Sequence, residues 1–64
     1  MKKLEYDYVF RTGKDLIKQI ELDLGYDDRI IPIETNETNT LVIGEYVVSI
    51  YETEDKIYVE YKTI

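Results

Sequence analysis

Leu4, Tyr6, Tyr8 and Phe10 alternate with Glu5, Asp7 and Val9. That period of two predicts a half-buried strand. The pattern changes at Thr12-Gly13-Lys14-Asp15. At about 100° per residue, Leu16, Ile17, Ile20 and Leu24 fall on one stripe, which predicts a short helix over 13–24. Thr12 is placed to cap it, with Asp15 three residues on as in a capping box. Gly25 supplies the left-handed stop. Leu22 lies roughly opposite the stripe and is expected to be exposed. Lys14 and Lys18 come early and Glu21 and Asp23 late, against the helix dipole. Each misplacement costs up to about 1 kcal/mol, so packing must hold this helix.

Beyond the helix, Arg29-Ile30-Ile31-Pro32-Ile33-Glu34 reads as a short strand. Pro32 cannot donate to a ladder, which makes it an edge strand or an extended lead-in. Thr35 to Asn39 is polar and reads as a loop or hairpin turn. Leu41–Ile43, Tyr46–Tyr51 and Lys56–Tyr61 are strong strand runs. Gly44-Glu45 fits a two-residue turn with glycine first, and Glu52-Thr53-Glu54-Asp55 a four-residue turn. The first turn pairs Ile43 with Tyr46 and Leu41 with Val48. The second pairs Ile50 with Ile57, Val48 with Val59, and Tyr46 with Tyr61. All of these fall on one face, so two turns read separately agree. The helix is expected to cover that face. The result is a single α+β domain over residues 1–64, one helix on a small antiparallel sheet in the order β-α-β-β-β-β. The other face then holds Val42, Val47, Ser49, Tyr51, Tyr58, Glu60 and Lys62.

Composition narrows the chemistry. Sixty-four residues contain no cysteine, histidine, tryptophan or alanine. Disulfide scaffolds, Cys or His metal sites and Cys- or His-based triads are thereby excluded. A chain this short buries a small core, with little left to enclose a deep pocket. A carboxylate needs such a pocket to act as a general acid. Asp27-Asp28 matches no calcium-loop spacing, and Gly13-Lys14 lacks the rest of a phosphate loop. No catalytic residue, metal or cofactor is expected, and the chain reads as a non-enzyme. No apolar run reaches the length of a membrane span. The start, Met1-Lys2-Lys3-Leu4-Glu5, does not read as a signal peptide. A cytoplasmic location without membrane contact is expected.

Charge narrows the partner. Fourteen acidic residues against eight basic ones leave a net charge of −6. The basic residues are scattered among acids, which disfavours direct nucleic-acid binding. Seven tyrosines offer rigid contact area with a polar tip, a residue type enriched at interfaces. Tyr6, Tyr8, Tyr46 and Tyr61 belong to the predicted core. Tyr51 and Tyr58 do not. The expected protein-binding face therefore centres on Val47, Tyr51 and Tyr58. Glu52, Glu54, Asp55 and Glu60 are expected to steer a basic protein to it, with Glu45 nearby. Charge and size are analogous to those of small acidic proteins that phages use to occupy nucleic-acid channels of host enzymes. An inhibitor of a basic host protein, nucleic-acid-handling enzymes among the candidates, is the expected function. The alanine-free composition suits an AT-rich Gram-positive host or its phages. The alternative is a small structural homo-oligomer, a homodimer in its simplest form.

Overall fold

The computed structural model describes residues 2–7, 13–27 and 29–64. Its elements run β1 (Lys2–Asp7), α1 (Gly13–Asp23), β2 (Ile33–Glu34), β3 (Thr40–Ile43), β4 (Tyr46–Glu52) and β5 (Lys56–Thr63). The strands form one antiparallel sheet in the order β1-β5-β4-β3-β2. This is the α+β arrangement expected from the pattern. Tyr8, Val9, Phe10 and the Thr12 cap lie outside the described residues. None of the helices in the described residues is long and apolar enough to cross a membrane.

One face of the sheet is closed by α1. Leu16 and Ile20 of the helix stripe pack with Ile43, Val48, Ile57 and Val59, and all six are buried. Leu22, on the opposite side of the helix, is 55% exposed. The helix ends as its sequence dictates. Gly25 takes φ +93°, its N–H donates to the Leu22 carbonyl at 3.0 Å, and the Tyr26 N–H donates to the Glu21 carbonyl at 2.9 Å. This pair of bonds is a Schellman motif, which satisfies carbonyls the helix end would leave bare.

The chain then docks Tyr26 against the β3–β4 turn. The Glu45 N–H donates to Tyr26 Oη at 3.1 Å. Gly44, at φ +59°, leaves room for the ring, because a Cβ there would overlap Tyr26 side-chain atoms. Tyr26 meets Tyr46 edge-on, and Tyr46 meets Tyr61 the same way at 5.4 Å between ring centroids. These rings extend the core along the sheet. Tyr6 contributes at the β1 edge, where its hydroxyl donates to Asp23 Oδ2 at 2.5 Å.

The structure corrects two details. The first hairpin has the expected register, Ile43 opposite Tyr46 and Leu41 opposite Val48. The second is displaced by two residues: Ile50 faces Val59, Val48 faces Tyr61, and Tyr46 faces Thr63. Its turn is tighter than the sequence suggested. The Thr53 N–H donates to the Lys56 carbonyl at 2.8 Å, and the Lys56 N–H donates to Thr53 Oγ1 at 3.2 Å, leaving Glu54-Asp55 as the tip. A shift of two residues exchanges partners and keeps faces. The second correction concerns the 29–34 segment, of which Ile33–Glu34 alone forms a strand. The Arg29 N–H and guanidinium both bond the Asp27 carboxylate, and the Ile30 N–H reaches back to the Asp27 carbonyl, so the chain turns where a strand was expected. Pro32 removes a further ladder donor.

Candidate functional site: the open sheet face

Register and alternation define what the uncovered face carries. Val48 and Val59 point at the helix, so their neighbours in each strand point away. Four cross-strand rows result. The first runs Ile33, Val42, Val47 and Lys62. The second runs Thr40, Ser49, Glu60 and Lys3. The third runs Tyr51, Tyr58 and Glu5, and the fourth pairs Lys56 with Asp7.

The second row is a polar band. Thr40 and Ser49 are joined through their hydroxyls at 3.3 Å. Lys3 Nζ lies 3.7 Å from Glu60 Oε1. Thr40 also donates to Glu37 of the 35–39 loop, which buries it despite its place on this face. The band splits the apolar surface into two islands, Ile33 with Val42 and Val47 on one side and the two tyrosines on the other.

The expected site residues therefore separate. Tyr51 and Tyr58 come directly opposite one another, closer than the expected pairing of Tyr51 with Lys56 and Ser49 with Tyr58 allowed. Tyr51 is 46% exposed and Tyr58 is half-buried. Val47 lies on the far side of Ser49, about 13 Å along the strand from Tyr51 at roughly 3.3 Å per residue. Glu54 and Asp55 stand exposed at the hairpin tip, with Thr53 Oγ1 3.4 Å from Asp55 Oδ1. Glu60 lies on the open face, but Lys3 offsets its charge. Glu52 has helix-side parity, since it pairs with Ile57, and it borders a groove shared with Leu16, Ile17 and Ile50.

Beside the tyrosines, Lys56 donates to Glu5 Oε1 at 2.5 Å. Its ammonium pKa is raised chiefly by that hydrogen bond. Glu5 and Glu60 are thus both matched by lysines, and the remaining negative charge on this side lies at Asp7 and at the Glu54-Asp55 tip. Ile33 and Val42 belong to the face and were not among the expected site residues. Alternation alone places Val42 on this side. Ile33 had no readable partner until β2 was seen paired with β3.

For catalysis or metal binding the described residues assemble little. No group of three or more Asp, Glu, Cys or His side chains is placed to hold a metal ion among them. Every buried side-chain polar atom among them has a hydrogen-bond partner. Tyr6 is the most perturbed phenol: burial, then the hydrogen bond to Asp23, pushes its pKa above the ordinary value of 10.0. Its hydroxyl is committed to joining β1 to α1. The chain matches no protein-family model, no curated protein and no solved structure in the comparisons made.

Proposed function

We propose that the chain is a non-enzymatic, acidic protein-binding module that inhibits a basic host protein by presenting the open face of its sheet. The observation that carries this reading is the Tyr51–Tyr58 cross-strand pair, held on the face α1 leaves uncovered and adjoining the acidic Glu54-Asp55 tip. Adjacent tyrosines on a rigid strand pair offer contact area at little entropic cost. Charge at the tip supplies on-rate towards a basic surface, for which a net charge of −6 is also suited. Nucleic-acid-handling enzymes of the host carry such basic surfaces, which suits a phage or mobile-element origin and a cytoplasmic site of action. Direct nucleic-acid contact is disfavoured by the same charge.

The test begins with a pull-down from a Gram-positive lysate, identified by mass spectrometry, and is decided by surface-plasmon kinetics on the purified partner. Tyr58→Ala is expected to leave the fold intact and to cost about 2 kcal/mol or more of binding, mostly in off-rate. Reversing Glu54 and Asp55 to Lys should slow association, and most at low salt. Normal binding by the Tyr58 variant would move the site off this face. A salt-insensitive oligomer, with no partner, would replace the reading with self-assembly.

A further inference from the structure

Two lysines on α1 stand towards the end of the helix where its dipole disfavours cations. Lys14 and Lys18 lie in its first two turns, near the positive end of the dipole, and one turn from each other. Among the described residues, the ion pairs are Lys3–Glu60, Arg29–Asp27 and Lys56–Glu5, so neither lysine is matched. Both border an open groove of about 310 Å³ between the helix and the segment that leads into β2. Its apolar surface comes from Ile17, Ile30, Ile31 and Pro32, and Ile31 is 82% exposed. Glu21 also lines the groove, but it is 2% exposed and held by an interaction of its own.

We propose that this groove docks an acidic peptide segment of a partner protein, with an aliphatic side chain against Ile17, Ile30 and Ile31 and neighbouring carboxylates against Lys14 and Lys18. Charge complementarity selects the occupant. On a chain of net charge −6, this is a place where two unmatched cations flank exposed aliphatic surface. A basic segment is repelled here, so the groove and the open sheet face select opposite partners. An anionic bilayer is disfavoured by the charge of the rest of the molecule. The inference does not depend on the sheet-face reading.

The test titrates the ¹⁵N-labelled chain with a short peptide alternating Glu and Leu, and with a matched peptide alternating Lys and Leu. The acidic peptide should give saturable amide shifts centred on residues 14–18 and 30–33. Lys14→Glu/Lys18→Glu should weaken it about tenfold, the effect of reversing two rim charges. Ile31→Ser should weaken it by a similar factor. Thermal melts of both variants are the folding control, so binding lost at an unchanged melting temperature is not lost folding, and Ile31→Ser tests the groove without changing its charge. Equal binding of the two peptides, shifts centred elsewhere, or full affinity in the double variant would overturn the proposal. So would phosphatidylglycerol vesicles shifting these amides where the peptide does not, or an Ile31-dependent dimer with no peptide binding.

Discussion

The two faces of the sheet are built from similar residues and end in different states. On the helix side, Ile43, Val48 and Val59 are completely buried. On the open side, Val42 and Val47 continue the same strands half-exposed, and Ile33 beside them is 62% exposed. β-propensity and cross-strand pairing are alike on both sides. The difference is one short helix, which covers one face and leaves the other to water. The open face is not simply a core without a lid. Its polar band of Thr40, Ser49, Glu60 and Lys3 divides the apolar surface, and small islands resist the aggregation that one large patch invites. The sheet edges are guarded in the same spirit. β1 carries charged side chains, and β2 is two residues long and follows Pro32.

The comparison breaks first at the core. Ile20→Ala should cost about 2–5 kcal/mol in denaturant melts, because it opens a cavity between helix and sheet. Gly44→Ala should cost about 2–3 kcal/mol, combining a left-handed φ with displacement of the Tyr26 ring. A loss below about 1 kcal/mol there would mean that the tyrosine ladder adds little to the core.

Tyr6→Phe is expected to cost about 1 kcal/mol, through the lost bond to Asp23. It carries a pH signature. The folded chain holds the Tyr6 proton more tightly than the unfolded chain does, so the hydroxyl's contribution is complete below pH 10.0 and is lost as the pH climbs above that value. Between about pH 9 and about pH 11, the parent chain should lose more stability than the Tyr6→Phe variant. Equal losses would detach Tyr6 from the helix–sheet junction.

The smallest effects belong outside the core. Leu22→Ala and Tyr51→Ala should each shift stability by well under about 1 kcal/mol, as exposed positions do. If either matched Ile20→Ala, its side of the molecule would be covered in solution, and sedimentation would show by what.

Much of this was legible along the chain. The faces of β3, β4 and β5 follow from period two, and the helix from Leu16, Ile17, Ile20 and Leu24. Leu22 falls outside from its angle alone. Gly25 and Gly44 stand where a left-handed residue was needed. The candidate site was half legible: alternation put Val47, Tyr51, Tyr58 and Glu60 on the open side. It did not show that Lys3 would offset Glu60, because Lys3 and Glu60 lie on strands from opposite ends of the chain.

What the tertiary structure decided is the choice among arrangements that local pattern leaves equal in merit. Alternation repeats every two residues, so a hairpin displaced by two keeps every side chain on its face. The β4–β5 partners therefore rested on the turn, where the Thr53 hydroxyl takes the Lys56 N–H and closes the strands around Glu54-Asp55. That closure brought Tyr51 opposite Tyr58. β2 was shortened by bonds Arg29 makes to Asp27, which compete with a ladder that Pro32 already weakens. The docking of Tyr26 on Gly44 joins residues 18 apart, and its ring fits there because a left-handed glycine leaves the space. Local sequence sets which way a side chain points; what it meets is set by contacts that exist only once the chain has closed on itself.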